Sequence, residues 1–248
     1  MPVFLDETNI LFPDHSHADE HGILAVGANL EPDTLLAAYY NGIFPWPHPG
    51  LPLLWFSPDP RFVMRPQDIL INRSLIKAIK NSSLQIKADC NFYRVMKGCQ
   101  KSLRAEQDGT WITNELIEGY CDLHGLGYAH SIEAYQDGRL VGGLYGVSIG
   151  SLFFGESMFF LQSNASKIAF ATLVAHLITW NFSLIDCQSH TQHLEKFGAQ
   201  PIKRNDFLYE LEKSHQHPTM QGPWRFTMTP QQALETIKKA SSLRKNRR

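Results

Sequence analysis

The sequence predicts an α+β fold with a mixed, mostly antiparallel sheet, and three observations carry that expectation. Between residues 130 and 160 three strand-like runs follow one another across short turns, with Asp137-Gly138 a strong hairpin signal and Gly150 a second turn. Segments with helical spacing flank this meander on both sides. The 248 residues, 43% hydrophobic and 19% charged, suffice for one large domain or two modest ones around a sizeable core.

Residues 1–65 are rich in Pro and Gly and read as a small N-terminal α/β domain with aromatic loops. Its clear helix runs from about Glu31 to Asn41, opening in Pro32-Asp33 and stopping before Gly42, with Leu35, Leu36 and Tyr39 at helical spacing. Ile43–Pro47 and Leu53–Arg61 are stiff, Pro-punctuated pieces that present large aromatics outside regular elements. Residues 66–225 form the second domain. A helix at 73–80 turns Leu75, Ile76 and Ile79 inward and places Arg73, Lys77 and Lys80 on one outer face. A strand at Leu84–Ala88, a helix at Phe92–Cys99 and a helix at Asn114–Leu126 follow. The three strands of the meander are His130–Gln136, Leu140–Ile149 and Ser151–Phe160. A long apolar helix then reaches about Trp180, capped by Ser163 or Asn164. Ser183–Cys187 is a short buried strand, His190–Phe197 a short helix and Phe207–Leu211 a last strand. Residues 226–248 are a basic C-terminal extension: a polar helix from about Pro230, ending in a basic run expected to be solvated.

The net charge of −1 announces no nucleic acid, so an RNA footprint must be a local patch, and DNA is not expected as a partner. Cys90, Cys99, Cys121 and Cys187 lack short metal-ligand spacing and read as free thiols. The first residues have no basic start or apolar core, and no apolar run approaches a membrane span, so a soluble cytoplasmic protein without a membrane partner is expected. Phosphate loops, zinc fingers and nucleophile elbows are missing. His15, His17, Asp19 and His21 cluster in a polar loop, but no metal is expected there.

Four sets of residues carry chemistry with a bland alternative beside each. Asp186-Cys187-Gln188 closes a short apolar strand, where side chains can enter a cleft. Strand alternation sends Cys187 away from Asp186 and Gln188, which favours a small core residue over a Cys–His nucleophile with His190 or His193. A strand-end position also predicts that Asp186 and Gln188 can be replaced with little harm to folding. Glu156 lies inside an aromatic strand, either as a cation receptor or as a buried carboxylate bonded to backbone or Lys167. Trp46, Trp55 and Trp111 sit in loop-like contexts and serve either domain packing or stacking on the bases of a single-stranded RNA end. The Arg73, Lys77 and Lys80 face alone reads as an ordinary solvated one.

Eleven segments, in order, resemble the leucyl/phenylalanyl-tRNA–protein transferase family. They are Gly22-Ile-Leu-Ala-Val-Gly-Ala-Asn-Leu, Leu35-Leu-Ala-Ala-Tyr, Asn41-Gly-Ile-Phe-Pro-Trp, Trp55-Phe-Ser-Pro-Asp-Pro-Arg61, Gly109-Thr-Trp-Ile, His130-Ser-Ile-Glu, Leu140-Val-Gly-Gly-Leu-Tyr-Gly, Gly155-Glu-Ser-Met-Phe, Asn164-Ala-Ser-Lys, Ile185-Asp-Cys-Gln and His193-Leu-x-x-x-Gly-Ala. The His-rich loop near residue 17 and the tail past about 225 depart from the pattern. The resemblance implies a GNAT-type acyltransferase domain after the small N-terminal one. It also implies transfer of Leu or Phe, and less well Met, from aminoacyl-tRNA to proteins beginning with Arg or Lys, which marks the product for N-end-rule degradation. No cofactor is implied: where acetyltransferases of that fold cradle a pyrophosphate with a Gly-rich loop, this chain reads Gln162-Ser-Asn-Ala-Ser-Lys. Residue by residue, the resemblance places Tyr39, Trp46 and Trp111 at the 3′-terminal adenosine. It places Leu144, Phe153, Met158, Phe170, Leu173 and Ile185 around the amino acid, and Arg73, Lys77 and Lys80 on acceptor-stem phosphates. Asp186 and Gln188 carry the reaction, and Glu156 with Asp186 receives the acceptor's basic residue.

Overall fold

The computed structural model describes residues 1–6, 10–102 and 110–245. Gly109 of the Gly-Thr-Trp-Ile segment and Asn246-Arg-Arg248 of the basic tail lie outside the described residues.

Two mixed sheets organise a mixed α/β chain. The smaller comprises β1 (Val3–Leu5), β2 (Ile23–Gly27), β3 (Phe44–Pro45) and β4 (Leu54–Phe56) in the order β1-β2-β4-β3, beside α1 (Pro32–Tyr40). The Pro-punctuated aromatic pieces therefore pair as regular strands, contrary to the loop expectation. Trp55 is fully buried and donates its indole N–H to the Gly27 carbonyl at 2.9 Å, so it packs the core.

The larger sheet begins with β5 (Arg61–Met64). After α2 (Arg73–Lys80) come β6 (Gln85–Ala88), α3 (Phe92–Lys101), α4 (Asn114–Gly125), β7 (Ala129–Gln136), β8 (Arg139–Ile149) and β9 (Leu152–Phe160). Then follow α5 (Ala165–Thr179), β10 (Leu184–Asp186), α6 (Gln192–Glu195), β11 (Gln200–Ile202), α7 (Arg204–Ser214) and α8 (Pro230–Lys245). The seven strands lie in the order β11-β5-β10-β9-β8-β7-β6. Among the described residues of this sheet only the β9–β10 pair is parallel; the other pairs are antiparallel.

Strand alternation divides the core between two faces. Tyr145, Phe154 and Leu184 join one cluster with α1, α3 and α4; Leu144, Phe153 and Ile185 join the other with α2, α5 and α8. The helix α5 is apolar all round because it is covered all round, by β8 on one side and by α2 and α8 on the other. The tail helix is therefore not a solvated end: Ala233, Leu234 and Ile237 are buried in that second cluster.

Two further expectations are corrected. Residues 207–211 form part of helix α7, whose buried positions are Phe207, Leu211 and Ser214; their four- and three-residue spacing is helical rather than alternating. Asn164 precedes α5 in a left-handed conformation (φ 66°), which Asn adopts more readily than most residues, and makes no side-chain cap.

Candidate active site

A cavity of about 350 Å³ opens where β9 and β10 part company. The two strands pair in register from Leu184–Asp186 against Leu152–Phe154, and then each departs from regularity. In β9 the ladder with β8 jumps from Tyr145↔Ser157 to Gly146↔Gly155, which leaves Glu156 as the extra residue of a β-bulge. A bulge re-aims one side chain and reverses the alternation beyond it. Phe153 and Met158, five residues apart, thereby face the same cavity. After β10, Gln188 takes a left-handed backbone (φ 63°), which turns the chain away and brings its amide back to the opening.

Nine of the expected residues come together here: Trp46, Trp111, Leu144, Phe153, Glu156, Met158, Phe170, Ile185 and Gln188 all line the cavity. The apolar ones form most of the wall, and the two half-buried indoles line it together with the buried Phe44. Gly155 contributes open space, since a Cβ there would meet nothing closer than the Asp186 carbonyl oxygen at 3.6 Å.

The polar end is one connected network. Tyr39 donates its hydroxyl hydrogen bond to Glu156 Oε1 at 2.7 Å, Tyr120 donates to Oε2 at 3.3 Å, and the two hydroxyls also touch each other. Gln188 Nε2 donates to Glu156 Oε1 at 2.8 Å. The ionised carboxylate only accepts, so in that form this bond fixes the amide and points its carbonyl oxygen away from Glu156. Burial raises the Glu156 pKa to about 7, against the hydrogen bonds from Tyr39 and Gln188, which pull it down, with the nearby Asp186 charge adding to the rise. Lys167 is not its partner.

Asp186 does not open into the cavity. Alternation puts Ile185 and Cys187 on the cavity side, and Asp186 on the other. Its carboxylate is fully buried and grips Arg61 through both oxygens, from Nε at 2.8 Å and Nη2 at 2.5 Å. The Arg61 guanidinium lies between the rings of Phe44 and Phe207, with centroids 4.7 and 4.5 Å away. Asp186 Oδ1 also accepts the Gln188 backbone N–H at 2.8 Å, so Asp186 acts on the site through Gln188 and through its charge near Glu156. Cys187 belongs to the cavity wall instead, with burial pushing its thiol pKa far up, which leaves it without thiolate character.

Other expected residues lie elsewhere. Tyr39 is completely buried and has no ring face open for a base. Leu173 is in the core behind the wall. Arg73, Lys77 and Lys80 are exposed on α2, outside the cavity. His15 pairs with Ser57 Oγ at 2.8 Å, and no group of three metal-ligating side chains occurs among the described residues. Sequence reasoning missed Tyr120, which lies within the expected helix 114–126, and Arg61, seen as the end of an aromatic segment. The Glu156 bulge had no sequence signal beyond the glycine before it.

An apolar, acyl-sized cavity that ends in a fixed amide carbonyl and a carboxylate suits the joining of an apolar acyl group to an amine, which makes acyltransferases the class of protein defined here. Residues 63–212 match the family described as leucyl/phenylalanyl-tRNA protein transferase, and residues 28–59 match its N-terminal domain. A leucyl/phenylalanyl-tRNA–protein transferase of Myxococcus xanthus is 49% identical over 226 residues, covering 90% of this chain and 97% of that one. One from Desulforapulum autotrophicum is 47% identical, covering 92% and 99%, and one from Syntrophus aciditrophicus 50% identical, covering 87% and 90%. The chain belongs to the leucyl/phenylalanyl-tRNA–protein transferase family.

Among the described residues no helix is long and apolar enough to cross a membrane.

Proposed function

We propose that the protein transfers Leu or Phe, and less well Met, from aminoacyl-tRNA to proteins that begin with Arg or Lys, in the cytoplasm, with an N-end-rule degradation signal as the product. The observation that carries this is the cavity: a mostly apolar wall with the bonded Glu156–Gln188 pair in its lining. The amino-acid side chain enters between Phe153, Met158, Phe170 and Ile185. The terminal adenosine lies against Trp46 and Trp111, and acceptor-stem phosphates meet Arg73, Lys77 and Lys80. We read the unit built on the larger sheet as a GNAT-type acyltransferase domain, following a small N-terminal unit of about residues 1–65 and followed by the 226–248 extension. Since β5 already belongs to the larger sheet, the first boundary lies just before Arg61.

The chemistry follows from the substrates. An aminoacyl ester is already activated, and an α-amine with a pKa of about 7.7–8 is partly neutral at pH 7. Positioning therefore supplies most of the acceleration. The Gln188 carbonyl accepts an N–H of the incoming amine and aims its lone pair at the ester carbon. The C–N bond forms as the bond to the ribose 3′ oxygen breaks, and the proton lost by the amine reaches that oxygen through the neighbouring ribose hydroxyl. Glu156 fixes Gln188 and faces the acceptor's cationic side chain. Asp186 is a positioning residue: it anchors the Gln188 backbone and is itself anchored by Arg61.

Replacing Gln188 with Ala and Cys187 with Ser tests these roles. The first variant loses transfer to an Arg-initiated peptide, while the second keeps most of it. Full activity in Gln188→Ala with none in Cys187→Ser would favour a thiol nucleophile and overturn the assignment.

A further inference from the structure

Beside the main cavity lies a second, much smaller one of about 50 Å³, with His193 in the wall of both. Its polar lining is Asn72 and Ser74 at the start of α2, Asn164 and Lys167 at the start of α5, and His193 and Lys196 of the α6 segment. Among the described residues no carboxylate lines it. Lys167 is half-buried, and neither Lys167 nor Lys196 is within ion-pair reach of a carboxylate among the described residues. The adjacent acid, Glu195, is turned to His190 at 3.3 Å. Lys167 and Lys196 line the hollow together with His193, and both charges, after burial, depress the His193 pKa. The N-terminus of the fifteen-residue helix α5 also carries no side-chain cap.

Two lysines around one hollow, with no carboxylate between them among the described residues, give an anion there two favourable contacts at once. Its position names the anion. On one side it meets the α2 segment that presents Arg73, Lys77 and Lys80; on the other it shares a wall with the cavity for the terminal aminoacyl-adenosine. An RNA strand running from the α2 face to the cavity must pass its last phosphates between the two. We infer that this hollow takes a phosphodiester of the donor's 3′ strand, held by Lys167 and Lys196. The site fixes where the terminal nucleotide enters, by charge and not by base reading. The inference rests on the donor reading given above.

The test compares two donors that differ by one phosphate: phenylalanyl-adenosine, which has none, and phenylalanyl cytidylyl-adenosine, which has one. In the unmodified protein the second donor has the lower KM. With Lys167→Gln and Lys196→Gln together, its KM rises roughly tenfold, as for removal of a charge-assisted hydrogen bond, and the preference disappears. Transfer from phenylalanyl-adenosine keeps its KM and kcat. The slope of log KM against log salt for the phosphate-bearing donor falls by about 0.7 for each phosphate no longer neutralised. Restoring charge with Lys167→Arg and Lys196→Arg recovers part of the preference. Should the double variant fold poorly, Lys196→Gln at its exposed position gives a smaller shift of the same sign. Equal losses on both donors, or none on either, overturn the inference alone. An unmodified protein that transfers from neither donor overturns the functional reading beneath it, and the inference with it.

Discussion

Asp186→Ala is expected to unfold the protein more readily as well as to slow it. The substitution removes one half of a buried ion pair whose side chains are 1% and 0% exposed and leaves the Arg61 guanidinium without its bidentate partner. Removing one partner of a buried pair costs about 3–5 kcal/mol, because the remaining charge is stranded away from water. The rings of Phe44 and Phe207 compensate only in part, since a cation–π interaction is worth roughly 0.5–2 kcal/mol. For a chain of this size each kcal/mol moves Tm by about 2–4 °C, so a fall of roughly 6–20 °C follows. Thermal unfolding followed by circular dichroism reads it directly. The double replacement Arg61→Met with Asp186→Leu recovers most of the lost Tm, because no charge is left buried. Its transfer activity stays low, because the Gln188 N–H is then without its acceptor. An Asp186→Ala variant that melts within about 2 °C of the parent would refute the claim that the pair holds this strand end.

Other outcomes follow from the same geometry. Glu156 has a folded-state pKa of about 7 against an ordinary 4.5, so the folded protein binds that proton more tightly. Its contribution to stability is full below about pH 4.5 and is lost as pH rises through about 7, on the order of 3 kcal/mol across the window. Denaturant titrations of Glu156→Gln and the parent at pH 5 and pH 8 should therefore show the variant gaining stability relative to the parent at the higher pH; a constant difference counts against the raised pKa. Ile185→Ala opens the cavity wall and should raise Val transfer relative to Leu in a competition assay, whereas an unchanged ratio removes Ile185 from the selecting wall. Arg73, Lys77 and Lys80 replaced together by Ala should weaken tRNA binding and reduce the salt slope by about one unit for each phosphate no longer held; an unaltered slope excludes the α2 face from the footprint.

The meander from residue 129 to 160 was legible because Asp137-Gly138 and Gly150 impose their turns locally. The amphipathic helix α2 was legible because its polar and apolar residues separate cleanly at helical spacing. What escaped is what pairing across the chain decides. Short strands such as β5 and β11 acquire their identity from β10 and from each other, not from their own three or four residues. Alternation applied to Asp186, Cys187 and Gln188 was sound until Gln188, where a left-handed backbone ends it and puts residues 187 and 188 on the same cavity. Reasoning from residue types found the carboxylate at Glu156 and the amide at Gln188 separately. Only the bulge in β9 shows that they form one bonded pair, with Tyr39 spent on holding it and not on a nucleotide base.

The central claim is that the Glu156–Gln188 end of the cavity joins an apolar aminoacyl group to an N-terminal amine. Incubating the unmodified protein with tRNA charged with radiolabelled Leu, and with a peptide that begins with Arg, tests it most directly once the products are separated. The label should appear in the peptide, attached at its N-terminus, and an acetylated form of the same peptide should take none. Release of free Leu without labelled peptide, or equal labelling when the tRNA carries Val, would contradict it.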